Sequence, residues 1–249
     1  DMIVNDRLVT SIIHDLPSEE WRAAYAAQCF METIHTETYS KLIDTLVDDN
    51  DEKVGLFNAV VTIPTIQAKR EFYMSHSDPS NDFQTRLLCQ LSVECVHFSA
   101  SFALIAWLRK RFPGRFEATT KANELIMRDE GMHAQMACEL LRRHLAAGNT
   151  IKLLELMVRQ AVKLEQDFIR DAFRGERLFM MSQESLCLHV QVVADYWMLE
   201  LGLEAIWNTP QQFDWLEGST LESKSNFFET RVTEYQRIDR CAFTTEEDF

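Results

Sequence analysis

Two short motifs place a glutamate and a histidine three residues apart within apolar stripes of helical pattern. On a helical wheel, Glu32 and His35 share a face with Tyr25 and Tyr39, so they are predicted to point into the core. Moving an unpaired carboxylate out of water costs several kcal/mol. The pattern therefore predicts that Glu32 has a partner inside the protein.

The motif recurs as Glu130 and His133, and Glu94 lies alone in a third apolar helical segment. One Glu-x-x-His pair is common on helices, but two pairs centred on apolar stripes favour a metal site. Two such helices facing two helices that each give a carboxylate form the site of di-iron carboxylate bundles. Anionic oxygens offset the charge of two divalent ions and bridge them, and one imidazole completes the coordination shell of each ion. The motifs therefore predict a dinuclear metal site.

The helical pattern leaves the other carboxylate donors open. Glu165 lies on an apolar stripe as Glu94 does, so periodicity alone does not separate the two candidates. The fourth donor is undetermined on this basis. The histidines that have no partner pattern are interpreted as surface or core residues: His14, His76, His144 and His189.

Helices must position these side chains, because only seven Gly and five Pro interrupt the 249 residues. Pro64 is predicted to kink or divide its helix, and no alternating strand pattern is present. The sequence predicts one all-α domain over residues 1–230 and a mobile acidic tail over 231–249. Breaks between helices are predicted at 16–20, 47–53, 75–82, 112–115, 146–150, around Gly175 and at 208–219.

Charge and cysteine usage exclude several classes of protein. A formal net charge of −14 argues against a nucleic-acid or anionic-membrane surface. We identify no run of roughly 18–20 apolar residues that would span a membrane. The six cysteines lack paired spacing, which predicts reduced thiols in a cytoplasmic protein: Cys29, Cys89, Cys95, Cys138, Cys187 and Cys241.

Five ordered segments resemble the small, radical-generating subunit of class I ribonucleotide reductases, of the eukaryotic or DNA-virus type. The resemblance spans essentially the whole chain and implies a ferritin-like helical bundle. It further implies a homodimer and a pair of iron ions, with manganese as the alternative metal. The segments are METIHTETYSKLID, VECVHFSASFALIAWLRKR, NELIMRDEGMHAQMACEL, VADYWMLELG and NFFETRVTEYQR with FTTEEDF.

The resemblance also implies a set of metal ligands. It selects Glu94 over Glu165, because Phe98 and Phe102 follow Glu94 as the phenylalanines of the family's metal pocket do. Asp1 is included only because DMIVNDRLV resembles the segment that starts with the family's first ligand. The implied ligands are Asp1, Glu32, His35, Glu94, Glu130 and His133.

Tyr39 follows His35 by four residues on the same helix face. Taken alone, Tyr39 would be interpreted as a core tyrosine whose hydroxyl is hydrogen-bonded. In the family, the matching tyrosine becomes a stable radical when the reduced metal pair activates dioxygen. The resemblance implies that Phe98, Phe102 and Ile126 form a dry apolar wall that shields this radical.

The resemblance assigns three further roles. Asp129 accepts a hydrogen bond from the ligand His35 and lies on the route of the departing electron and proton. Tyr235 relays the radical to the large catalytic subunit, into which the terminal FTTEEDF segment docks. The family's pathway tryptophan precedes its first ligand, and no tryptophan occupies that place, so residues missing upstream are expected.

One departure and two alternatives remain open. His97 stands where the family usually has an aromatic residue, and we do not expect it to be a ligand. The first alternative function is a ferritin-like di-iron oxidase or desaturase with its own substrate. The second is an iron-binding protein without reductase activity.

Overall fold

The computed structural model describes residues 2–144 and 148–216. The predictions for Asp1, Tyr235, Cys241 and the 231–249 tail lie outside the described residues. Helices dominate, as predicted. The α-helices of the described residues are α1 Met2–Arg7, α2 Glu19–Leu46, α3 Asn50–Phe57, α4 Ala59–Thr62, α5 Pro64–His76, α6 Phe83–Leu91, α7 Ser99–Arg111, α8 Glu117–His144, α9 Gly148–Phe173 and α10 Gln183–Glu200.

Short non-α turns connect several of these helices. A π-helical turn, Ser92–His97, joins α6 to α7, and another, Leu8–Ile12, follows α1. Short 3-10 turns span Ile13–Asp15 and Asp214–Leu216. A two-stranded antiparallel hairpin, β1 Arg177–Leu178 and β2 Met181–Ser182, was not predicted, because two-residue strands are too short to show alternation.

The helix boundaries follow local chemistry. The Ser18 side chain accepts a hydrogen bond from the backbone N–H of Trp21 and caps α2. Pro64 occupies the first turn of α5, where its missing N–H costs nothing, so it divides the helical segment as predicted. The Asp82 side chain accepts from the backbone N–H of Thr85 and caps α6.

The long helix α8 lies at the centre of the bundle and packs against α2, α6 and α7. The π-helical turn between α6 and α7 packs against both α8 and α9, and α10 covers α7 and α9. One continuous cluster of buried apolar side chains fills the space between these helices. The turn that carries Glu94 therefore lies inside the bundle, facing α8.

One segment of the described residues, Phe83–Arg111, is long and apolar enough to cross a membrane by length and composition. This finding corrects the expectation that no run approaches the length and apolarity of a membrane span. Of the segment's most apolar window, 67% is buried inside the protein, which is typical of a core helix of a soluble fold. The segment is rich in apolar residues because it packs against α8 and α9.

The five described cysteines are free, as predicted. Cys29 is half-buried, and the other four are buried. They occupy core positions as small apolar side chains.

Candidate metal centre

Three elements bring the predicted ligands together. Helix α2 carries Glu32 and His35, α8 carries Glu130 and His133, and the π-helical turn carries Glu94. All five residues are at most 3% exposed. Because residues three apart share a helix face, each Glu-x-x-His pair presents both side chains to the same interior point.

The donor atoms of Glu32, Glu94, Glu130 and His133 all lie within 4.8 Å of one another. Nδ1 of His133 is 3.0 Å from Oε1 of Glu32 and 2.9 Å from Oε2 of Glu130. Nδ1 of His35 is 2.9 Å from Oε1 of Glu130. Nδ1 of both imidazoles therefore lies against the carboxylate of Glu130.

The carboxylate oxygens of this cluster are under-satisfied. Both oxygens of Glu32, Oε2 of Glu94 and Oε1 of Glu130 are buried without a well-aligned hydrogen-bond donor among the described residues. His133 approaches Glu32 as an ion pair but lacks hydrogen-bond alignment. Buried anionic oxygens without donors are unfavourable unless a cation neutralises them. Three carboxylates and two imidazoles fit a pair of hard or borderline divalent ions.

The protonation states of the cluster depend on burial and on neighbouring charges. Burial and the charges of Glu130 and Glu32 raise the pKa of Glu94 well above its usual range. Burial also opposes ionisation of Glu130, but the hydrogen bond with His133 and the close contact with His35 outweigh it and lower its pKa.

The pKa values of the two imidazoles are raised, although burial alone would lower the pKa of a base. Burial lowers the pKa of His35, but the hydrogen bond with Asp129 and the nearby carboxylates of Glu130 and Glu32 outweigh it and raise the pKa to about 11. Contacts with Glu130 and Glu32 likewise raise the pKa of His133 to about 9. Metal binding at neutral pH must therefore release these ring protons.

Residues behind the ligands fix their orientation. Nε2 of His35 lies 3.1 Å from Oδ2 of Asp129, which is the contact that the resemblance implied. Gln28 donates from Nε2 to Oε1 of Glu94 at 2.8 Å, and Gln90 donates to Gln28 at 3.2 Å. Sequence reasoning missed Gln28, although it precedes Glu32 by four residues on the same stripe.

The structure places the rival candidate, Glu165, in a different environment. Its Oε2 is 2.5 Å from Nζ of Lys69, outside the ligand cluster. Among the described residues, Glu94 is therefore the carboxylate that accompanies the two Glu-x-x-His motifs. His97 is buried at the end of the π-helical turn and is not part of the cluster.

Tyr39 is half-buried on α2. Burial and the charges of Glu130 and Glu32 raise the pKa of its phenol above the usual range. Phe98 and Phe102 form an edge-to-face pair with ring centroids 6.0 Å apart. Ile126 is buried one turn before Glu130. The shielding role of these three residues stays a prediction.

A cavity of about 80 Å³ lies beside Glu94 and Glu130. Phe102, His189 and Trp197 contribute to its lining. Nδ1 of His189 and Nε1 of Trp197 are buried without a partner among the described residues. The cavity has room for small molecules such as water or dioxygen. His189 carries no motif, so its position beside this cavity could not be predicted from the sequence.

The chain is similar to small subunits of ribonucleotide reductase over most of its length. It is 38% identical over 250 residues to the ribonucleoside-diphosphate reductase subunit M2 of Danio rerio, covering 100% of this chain and 64% of that protein. The small chain of Monkeypox virus is 39% identical, covering 96% of this chain and 73% of that protein. The chain thus spans somewhat less than two thirds of the length of the zebrafish protein.

Solved structures agree on the fold. The ribonucleotide reductase R2 subunit of Clostridium botulinum matches with a TM-score of 0.78 at 17% identity, covering 88% of this chain and 72% of that one. The Rnr4 homodimer of Saccharomyces cerevisiae matches with a TM-score of 0.72 at 24% identity, covering 90% and 67%. The predicted ferritin-like bundle is confirmed. The family model "Ribonucleotide reductase, small chain" matches residues 1–213, and the chain belongs to that family.

Proposed function

We propose that this chain is the radical-generating small subunit of ribonucleoside-diphosphate reductase. One observation carries the proposal: Glu32, Glu94, Glu130 and His133 converge within 4.8 Å in the core of the bundle. His35 lies against the same carboxylates. A separate large subunit would reduce ribonucleotides to deoxyribonucleotides with the radical that this chain supplies.

In this proposal the five described ligands, with Asp1 as the sixth, hold two iron ions. Manganese is the alternative metal. When bound, the metal pair supplies the reduction of dioxygen and the one-electron oxidation of a nearby phenol. Asp129 holds the ring of His35 through Nε2, which leaves Nδ1 as the donor atom. Gln28 orients Glu94 in the same way through Oε1.

Tyr39 is the proposed radical residue. The phenol is protonated at neutral pH even at its usual pKa, and burial with the charges of Glu130 and Glu32 raises that pKa further. Because an oxidised phenol is a strong acid, loss of an electron is accompanied by loss of the hydroxyl proton. Phe98, Phe102 and Ile126 would exclude water and reductants from this region.

The radical can be tested by electron paramagnetic resonance after aerobic loading with Fe(II). The wild-type protein should give a tyrosyl signal, and Tyr39→Phe should abolish it. Tyr25→Phe is the control on the same helix, because the buried Tyr25 lies seven residues before Glu32 and the half-buried Tyr39 lies seven residues after it. A wild-type protein that binds two irons but yields no Tyr39-dependent signal would contradict the proposal and favour an oxidase or an iron-binding role.

The proposed partners are a second copy of this chain and the large subunit, in the cytoplasm. Residues 231–249, with Tyr235, would connect the metal domain to the large subunit. Deleting residues 243–249 should abolish binding to the large subunit in surface plasmon resonance while leaving the iron content unchanged. Unchanged affinity would contradict docking through the FTTEEDF segment.

A further inference from the structure

A second buried polar cluster lies behind the π-helical turn that carries Glu94. Lys69 on α5, Glu165 on α9 and His97 in the turn are its members. Glu165 is 0% exposed, His97 is 2% exposed, and the side chain of Lys69 is 17% exposed. The proposed function uses none of these three residues, so their burial needs a separate explanation.

Lys69 connects three elements through one ammonium group. Its Nζ lies 2.5 Å from Oε2 of Glu165 and donates to the backbone carbonyl of His97 at 2.9 Å. It also lies 4.6 Å from the centroid of the Phe168 ring. A buried lysine is costly unless it is paired, and here the pairing ties α5 and α9 to the last residue of the π-helical turn.

His97 contributes to this arrangement as a neutral ring. Burial and the nearby Lys69 charge hold the pKa of His97 well below its usual range. Its ring lies edge-on to Phe72 of α5 at 5.4 Å between centroids. The end of the turn is therefore held by its backbone carbonyl and by its side chain.

A π-helical turn is less favourable than α-helix and usually needs support from its surroundings. Glu94 is the third residue of this turn, and His97 is its last. We propose that Lys69 is a positioning residue for the metal centre, which holds the π-helical turn through the His97 carbonyl and so sets the position of the Glu94 carboxylate. This inference rests on the proposed metal centre.

Cobalt(II) is a suitable probe, because its visible absorption spectrum reports ligand geometry without dioxygen chemistry. In anaerobic titrations of the full chain, Lys69→Met should weaken binding of one of the two ions by about 10–100-fold and alter the spectrum. Lys53→Met is the matched control, because its side chain is 20% exposed, close to the value for Lys69, and it pairs at 2.8 Å with the exposed Asp44, nine residues beyond His35 on α2. That control should leave both readouts unchanged.

Lys69→Met also leaves Glu165 buried without its partner, so it will lower thermal stability. The double variant Lys69→Met/Glu165→Met replaces the ion pair with apolar side chains and should recover most of that stability. The cobalt spectrum and the Co(II) affinity of the weakened site should stay as in Lys69→Met, because the donor to the His97 carbonyl is still absent. Wild-type binding in the double variant would show that Lys69 acts only on stability. A wild-type chain that binds no metal pair would instead overturn the metal centre itself.

Discussion

Glu94 is 2% exposed and lies among carboxylates of the same charge. Burial and the charges of Glu130 and Glu32 raise its pKa well above the usual range. In the unfolded chain the same group ionises near pH 4.3. Folding of the metal-free protein at pH 7 must therefore protonate Glu94 or bury its charge, and either outcome lowers stability. Metal binding reverses this cost, because the cations favour the ionised carboxylate.

Glu94→Gln should therefore stabilise the metal-free protein while weakening metal binding. Glutamine is neutral in both states, so the gain, about 1 kcal/mol, is present at pH 7. It disappears as the pH falls to about 4, where the unfolded wild-type chain also protonates this group. Chemical denaturation at the two pH values measures the gain in the free energy of unfolding. A metal assay measures the decrease in the number of ions bound per chain.

The control for this prediction is Glu139→Gln. Glu139 is 44% exposed and pairs with Arg143 at 3.1 Å on the surface of α8. Its substitution should change stability by less than about 0.5 kcal/mol at either pH. If Glu94→Gln destabilised the metal-free protein at pH 7, Glu94 would not be under the repulsion argued above.

Helical periodicity predicted inward positions for Glu32, His35, Glu130 and His133, and all four are buried. Their role as metal ligands stays a prediction. Periodicity could not choose between Glu94 and Glu165, because both lie on apolar stripes and only packing shows that Lys69 meets one of them. Gln28 was missed because an uncharged amide on a stripe carries no motif.

At the scale of elements, the predicted breaks follow residues with a strong local effect. Ser18 caps α2, and Pro64 begins α5. The Ser92–His97 π-helical turn was not predicted, because its composition does not differ from that of a core α-helix. Its geometry depends on contacts with α8 and α9, which a single segment does not reveal.

We predict that His189, on helix α10, makes the free energy of unfolding depend on pH. This residue is 4% exposed, and its ring is tilted by 53° relative to that of Phe213, with ring centroids 5.3 Å apart. Burial lowers its pKa to about 4, below the value of about 6.5 expected for the unfolded chain. The unfolded state thus takes up the proton first, and stability falls as the pH drops through this window.

The size of this effect follows from the two pKa values. Between pH 7 and pH 5, His189 should account for a loss of about 2 kcal/mol in the free energy of unfolding. His189→Leu should remove that part of the pH dependence, whereas His14→Leu, at an exposed position, should not. Urea titrations of the metal-free proteins at both pH values test this. Equal pH dependence in wild type and His189→Leu would contradict a neutral buried ring.

At the scale of the whole molecule, the outer face of α2 exposes large apolar side chains. Phe30 is 66% exposed and Ile34 is 39% exposed, and residues four apart are neighbours on a helix surface. Further along the chain, Leu46, Val54 and Phe57 are each at least 51% exposed. Exposed apolar groups of this kind are typical of protein interfaces. They support the proposed homodimer, in which α2 would contribute to the contact.

Phe30→Glu should therefore weaken self-association. A charge placed in a buried apolar contact costs at least about 2 kcal/mol, so the dimer dissociation constant should rise by about 30-fold or more. Sedimentation velocity over a range of concentrations measures this shift. Leu156→Glu is the matched control, since Leu156 is 65% exposed on α9, away from α2. Because Phe30 points away from the core while Glu32 and His35 point into it, the iron content of Phe30→Glu should equal that of wild type. A variant that stays dimeric at the lowest concentrations would place the interface on another face.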